Sequence, residues 1–340
     1  GGTGSLTVKN TKKVIIVGSE FFKNVAKTGA GIYTFACKNI FIFKCLLMKN
    51  TAVDLGGSIY IEENDNTMVS KTYFQMNKAI EGGSIYLKKI NFCKFLNGLL
   101  LANIGVNQCG GLHIKNLDRN IQSMIIIFNS VFKNNISPEE GSAINVKLVQ
   151  TLVIVNTAIS LNSSQTTTAP SVLVQSNTLH FYNTSFKNVI KNAQTMHVII
   201  TFIADINNVT FFCPPETYLH EHSSAFKPGE PFGIWYTCKS CEENFYIIKP
   251  DLFSVNKQII DFKSNKEPYQ CYKCPAYSVC KNGEITVEPN HWGYRVQDKV
   301  IIIPCPPDYC CLMSPCPRFD SCNTGQESIL CSLCKQNYMY

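Results

Sequence analysis

"AVDLGGSIYIEEN" (Ala52–Asn64) is followed by "AIEGGSIYLKKIN" (Ala79–Asn91), so that Gly56–Gly57 returns 26 residues on as Gly82–Gly83. The repeated phrase is wider than its glycines. A large apolar residue, two spacers and an Asn precede each pair, as in "FFKNVAKTGAGIY", "LLMKNTAVDLGGSIY" and "YFQMNKAIEGGSIY". The aligned asparagines are Asn24, Asn50, Asn77, Asn103, Asn135, Asn162 and Asn188, at steps of 26, 27, 26, 32, 27 and 26. A fixed period of this length is the signature of a solenoid or an array. "NIFIFKCLLM", "SIYIEE", "LVIVNTAI" and "TLHFYNTSF" are short and rich in Ile, Val, Phe and Tyr, which reads as strand. No unit leaves room for a helix of ordinary length, so the pattern predicts an all-β parallel β-helix over 1–212, with about eight coils of roughly 27 residues. The glycines are expected at turns requiring φ > 0. The asparagines are expected to take the left-handed conformation themselves and to bond from coil to coil as a ladder.

Composition agrees with an ordered, non-membrane chain. Of 340 residues 45% are apolar and 16% charged, with no apolar run long enough for a membrane span. The net charge of +7 is spread without a Lys/Arg block, which argues against a nucleic-acid footprint. Gly1 opens in mid-pattern, and the exposed edge of a coil there is expected to be covered by preceding coils or a cap in a longer protein.

From Cys213 the character changes. "CPPETYLHEHSSAFKPGEPFG" is rich in Pro and Gly and lacks the period, which places a domain boundary near 212 and a Cys-rich module over 213–340. Four of the 17 cysteines (Cys37, Cys45, Cys93, Cys109) precede it, and 13 follow: Cys213, Cys238, Cys241, Cys271, Cys274, Cys280, Cys305, Cys310, Cys311, Cys316, Cys322, Cys331 and Cys334. The pairs Cys238/Cys241, Cys271/Cys274 and Cys331/Cys334 have the C-x-x-C spacing of zinc ribbons. The first two are separated by more than a ribbon uses, and too many cysteines remain outside pairs, so disulfides of an oxidising compartment are the better reading. One of the 13 is left over, and Cys213 at the seam is the candidate to cross to the repeats. The adjacent Cys310 and Cys311 should take different partners. Sequons at Asn135, Asn162, Asn183 and Asn208 are glycosylation candidates of the same exported setting.

Few residues suggest chemistry. Glu62, Glu63 and Asp65 in "IEENDN" form the tightest acidic group, read as a solvated turn with a weak alternative as a Ca²⁺ site. A lyase or hydrolase on a β-helix needs carboxylates gathered on one strand face, and no further set is evident. His220 and His222 in "HEH" have no partner motif, and no nucleophile elbow, zinc-protease or phosphate-loop pattern occurs. No catalytic, cofactor or metal residue is therefore assigned. Tyr33, Tyr60 and Tyr86 recur at one position. The isoleucines beside Tyr60 claim the inward face, so the tyrosines are expected to point out as an aromatic strip suited to sugars or partner side chains.

The large-x-x-Asn and Gly-Gly-small-Ile phrase resembles the repeats of chlamydial polymorphic membrane proteins and their relatives, in the pectin-lyase-like class of right-handed parallel β-helices. "CYKCPAYSVCKNGEITVEPNHWGYR", "IIIPCPPDYCC" and "TGQESILCSLCKQNYMY" resemble the growth-factor-receptor-type Cys-rich segments of large surface proteins of ciliates and other protists. "NHWGYR" stands where Gly-Tyr-Trp is more usual, and the vicinal pair is irregular. These resemblances imply a right-handed coil and an extracellular, membrane-proximal ectodomain of a cell-surface or ciliary protein, anchored by segments outside this chain. The expected work is non-enzymatic recognition, adhesion or scaffolding among other surface proteins, cell–cell recognition in a protist included. A carbohydrate-active or carbohydrate-binding β-helix is the alternative.

Overall fold

The computed structural model describes residues 2–117, 122–160, 170–187, 189, 194–214, 217–224, 232–248, 252–259, 271–297, 299–314, 316–327 and 329–334. The chain forms two units, one made of Gly1–Cys213, Glu221–Cys238 and Leu252–Ser264, the other of Pro214–His220, Lys239–Asp251 and Asn265–Tyr340. Strands dominate both, and among the described residues no helix is long and apolar enough to cross a membrane.

The first unit is a parallel β-solenoid of about seven turns, one fewer than the period predicts. Each early turn has four walls. The first wall stacks Leu6–Lys9 on Ile32–Phe35, and that on the first part of Ile59–Ser70. The second stacks Lys13–Val17 on Asn39–Phe43, and that on Asn66 to Ser70. The third is three residues wide, as in Glu20–Phe22 on Leu46–Met48. The fourth, in a separate sheet, holds Val25–Thr28, Thr51–Leu55, Lys78–Glu81 and Ile104–Gln108. Pairing joins equivalent repeat positions, Ile59 to Ile85 and Ile85 to Leu112. The long step to Asn135 arises between Lys115 and Met124. Leu112 still follows Ile85 by one ordinary period, while Met124 pairs with the more distant Phe92. Alternation along each strand sends Ile32, Ile40, Ile42 and Leu47 to a fully buried interior. Their burial removes apolar surface at about 25 cal/mol per Å², and the stack makes that interior one continuous column.

The turns between walls explain the repeated glycines and correct the role expected of the asparagines. Gly56 lies at φ 61° and Gly82 at φ 62°, in the left-handed region. Gly57 answers to space instead: a Cβ there would overlap the carbonyl oxygen of Gly83 in the next turn. The asparagines of the column are not left-handed. The residues before them are, namely Lys23, Lys49, Met76, Ala102 and Asn134 at φ 53–55°. The wide range of residue types at that corner shows that the turn requires no particular side chain. The next residue carries the selection, through its amide. Asn24, Asn50, Asn77 and Asn103 each donate from Nδ2 to Oδ1 of the following asparagine at 2.9–3.0 Å, and that Oδ1 also accepts from the donor residue's backbone N–H at 3.0–3.1 Å. The ladder thus runs from Asn24 to Asn135; Asn162 and Asn188 lie outside the described residues. Such bonds are needed because Asn50, Asn77, Asn103 and Asn135 are buried, where an unpaired amide is costly.

The solenoid unit does not stop at 212. Its last parallel rung lies within Gln194–Phe212, and that edge is covered by two antiparallel strands from beyond the expected boundary. Phe232–Ser240 pairs with its first part and Leu252–Ile259 with its last. An open edge of N–H and C=O groups is closed this way. Cys213 does not bond to the repeats: it joins Cys238 on the first of these strands.

The second unit is small and is held by five further disulfides: Cys241–Cys271, Cys274–Cys280, Cys305–Cys310, Cys311–Cys316 and Cys322–Cys331. Cys310 and Cys311 take different partners. The members of the first two C-x-x-C motifs bond away from one another, and Cys331 of the third joins Cys322, which takes these thiolates away from a zinc ribbon. The side chain of Cys334 lies outside the described residues. Between the bridges are two hairpins, Ser278–Lys281 with Glu284–Val287 and His291–Val296 with Lys299–Pro304. Their apolar clusters are minor, Tyr246 with Ile285 and Val300, and Trp292 with Cys310 and Cys331. A core this limited relies on cross-links for stability.

Candidate functional site

The tyrosine column forms as the repeat predicts but is not the open strip expected. Tyr33, Tyr60 and Tyr86 stack with ring centroids 5.4 and 5.7 Å apart and planes within 14°. Their side chains leave the strand on the face opposite Ile59 and Ile61, yet Tyr60 is only 4% exposed and Tyr86 3%. The stack covers each ring from above and below, and the glycine corner presses in from the side. A Cβ at Gly29 would come 2.9 Å from that of Tyr60, and one at Gly82 3.0 Å from that of Tyr86. The motif therefore pairs a bare glycine with a tyrosine for packing. A sugar ring has no aromatic platform at Tyr60 or Tyr86.

Beyond Tyr86 the column passes to His113, centroid 4.7 Å away, and then to Asn145 in register. His113 is fully buried, and neither ring nitrogen has a hydrogen-bond partner among the described residues. Burial, reinforced by the charges of Lys147 and Lys115, pushes its pKa down to about 3, so the imidazole is neutral at ordinary pH. Tyr60 and Tyr86 are held un-ionised chiefly by burial.

Beside this column runs a charged one. Burial works against the Glu62 carboxylate, but Lys88 at 2.7 Å and the Tyr60 hydroxyl, which donates at 2.6 Å, outweigh it and hold its pKa below the usual range. Glu63 pairs with Lys89 at 2.5 Å, and Asp65 accepts from Asn91 Nδ2 at 3.1 Å. Each acid of "IEENDN" is thus matched separately by a residue of the next turn. The three do not converge as Ca²⁺ ligands, and no group of three potential metal-binding side chains occurs among the described residues. Further along, Lys147 pairs with Glu140.

The remaining sequence candidates fall into different settings. Asn135 is buried within the ladder, its Nδ2 donating to the Leu100 carbonyl at 2.9 Å, so it is not available to carry a glycan in the folded chain. Asn183 and Asn208 are exposed, left-handed corner residues on successive turns, Asn208 Nδ2 donating to Asn183 Oδ1 at 2.8 Å. Asn162 lies outside the described residues. His222 stacks on Trp235 with centroids 5.4 Å apart, which gives that half of "HEH" a packing role. Cys37, Cys45, Cys93 and Cys109 are buried free thiols, and burial pushes Cys93 up to about 12, far from a reactive thiolate.

One feature escaped the sequence reading. In "NIFIFKCLLM" both odd and even positions are apolar, the mark of a strand with two apolar faces. Ile40 and Ile42 fill the interior, while Phe41 and Phe43 lie on the outside, half-exposed. The second and third walls therefore present apolar outer faces, unlike the charged and hydrogen-bonded first wall.

Comparison with known proteins leaves this geometry to speak for itself: no protein family, curated protein or solved structure matches the chain. The parallel solenoid and the disulfide-rich stretch stand on the fold, and the six disulfides point to an extracellular or secreted chain.

Proposed function

We propose that the chain is part of the ectodomain of a membrane-anchored surface protein and acts without catalysis, in recognition, adhesion or scaffolding within a larger assembly. The observation that carries this reading is the turn-to-turn register of the outer walls. Ladder hydrogen bonds from Asn24 to Asn135 fix the same corner of successive turns, and strand pairing in register makes side chains recur in straight columns at the strand spacing of about 4.8 Å. A repeated, rigid surface suits binding to an extended partner, because little conformational freedom is lost on contact. The disulfide-stapled unit fits an exported, membrane-proximal position, with a cell-surface or ciliary membrane as the setting and segments outside this chain as the anchor. Adhesion between cells is one use of such a surface.

The reading is tested by cross-linking intact cells that make the protein, isolating it, and identifying its neighbours. Defined surface proteins in fixed ratio to the chain are expected. Recovery of the chain alone, together with release of oligosaccharides from a polysaccharide panel by the purified protein, would instead establish a carbohydrate-active role.

A further inference from the structure

The outer faces of the second and third walls are mostly apolar across six rungs, from Lys13–Val17 to the part of Ile144–Val155 that pairs with Met124–Phe128, with Asn39, Asn66 and Thr151 among the uncharged polar interruptions of the second. Exposure is high at several positions: Ile15 is 59% exposed, Phe22 52% and Tyr73 53%. Six rungs at ~4.8 Å and a five-residue strand at ~3.3 Å per residue make the second wall roughly 24 by 17 Å. With the narrower third wall beside it, the face covers roughly 600 Å². That is at the upper end of the apolar patches found on monomers and near the ~800 Å² that one partner contributes to an ordinary interface.

Its charge is one-sided. Lys44 and Lys71 occupy the corner between the two walls, with Nζ 5.3 and 5.9 Å from the ring centre of Phe43. Lys13 and Lys94 lie 5.9 and 5.2 Å from the rings of Phe41 and Phe92, and Lys23 is 5.0 Å from that of Phe22. None of these five ammonium groups has a carboxylate partner among the described residues, whereas Lys88, Lys89 and Lys147 of the first wall all do. Glu20 is the one acid among the outward residues of these strands. Solvated lysines laid over bare aromatic rings gain little, but once water is excluded the same cations attract acids strongly.

We infer that this two-walled face is a docking surface for another polypeptide whose contact face is apolar and rimmed by Asp and Glu. The inference rests on the recognition reading and says which surface serves it. A second copy of the chain is a poor occupant, because a two-fold contact through this face would set lysine against lysine. A membrane is also a poor one. An exported chain meets the leaflet that lacks the anionic lipids of the cytoplasmic side, leaving the lysines unmatched.

The test places the photo-cross-linker p-benzoylphenylalanine at Phe41, at Ile126 or, as a control on the fourth wall, at Val53, in the full chain within the cells that produce it. Adducts are then identified by mass spectrometry. Adducts from Phe41 and Ile126 are expected on an acid-bearing segment of a different protein. Their yield should fall at least tenfold when Lys44→Glu, Lys71→Glu and Lys94→Glu are combined, with an unchanged urea midpoint showing that the chain still folds. Adducts to lipid alone, to a second copy, or to a segment without Asp or Glu would overturn the inference, as would a yield indifferent to the lysine changes. Adducts from Val53 only would sink this face and leave the recognition reading standing. Absence of protein adducts from all three positions would sink both.

Discussion

Replacing Asn77 by Ala separates a ladder that holds the solenoid together from one that merely accompanies it. Asn77 Oδ1 accepts from the backbone N–H and from Nδ2 of Asn50, both at 3.0 Å, while its own Nδ2 donates to the Leu47 carbonyl and to Asn103 Oδ1, both at 2.9 Å. Asn77→Ala leaves two buried donors on Asn50 without an acceptor, at about 1–3 kcal/mol each. Some of this is recovered by relaxation, so a loss of roughly 2–4 kcal/mol is expected. Asn24→Ala is the internal control. Asn24 is only half-buried and removes one side-chain donor, so roughly 0.5–1.5 kcal/mol is expected. Solenoids unfold in parts, so the measurement pairs urea denaturation with hydrogen exchange at the Asn50 amide. That amide should exchange much faster in Asn77→Ala and hardly faster in Asn24→Ala. Equal losses for the two variants, within about 0.5 kcal/mol, would refute the reasoning, because the acceptor that only Asn77→Ala takes from the Asn50 donors would then contribute nothing.

Three further outcomes are expected. Because the folded-state pKa of His113 is depressed to about 3, the unfolded chain takes up the proton first, and the stabilisation is complete above about pH 6.5 and is lost as pH falls. At pH 5 that loss is about 2 kcal/mol relative to pH 7.5; His113→Phe should remove this part of the urea-midpoint shift, and an imidazole signal that titrates near 6.5 in the folded protein would contradict the burial argument. Cys37, Cys45, Cys93 and Cys109 should resist iodoacetamide in the native protein and alkylate after denaturation without reductant; rapid native labelling would show that the interior is open. In protein from its own cells, glycopeptide mapping should find Asn135 unmodified, with any glycan among the described sequons at Asn183 or Asn208; a glycan on Asn135 would be incompatible with the ladder.

The sequence disclosed what repetition controls and concealed what depends on neighbours. The positions of Asn24, Asn50, Asn77 and Asn103 state the stacking step, and the burial of the last three leaves little but an amide ladder to satisfy them. Their backbone conformation was less legible. The left-handed residue stands one position earlier, where Lys49, Met76 and Ala102 share no feature that sequence alone could flag. The boundary at 212 marks the end of the period, whereas the sheet continues as antiparallel strands, which carry no repeat. Alternation correctly assigns Tyr60 to the face opposite Ile59 and Ile61, but a strand direction does not fix exposure. That depends on a glycine in the adjoining corner and on a second ring in the next turn.

The same reasoning explains why the outer walls differ in kind. On the first wall, charged groups find partners one turn away, Glu62 with Lys88 and Glu63 with Lys89, and Tyr60 donates to Glu62 within its own strand. In-register stacking makes this self-satisfaction simple, because a side chain always has its counterpart at the strand spacing. On the second wall the same stacking brings like to like. Phe41 has Met68 above it in register, and Lys44 is followed by Lys71 at the equivalent corner. Stacked apolar side chains cover one another only in part, and stacked lysines repel. A wall of the first kind is complete as it stands. A wall of the second kind leaves apolar surface and positive charge uncompensated at once, and a single acidic, apolar partner offsets both.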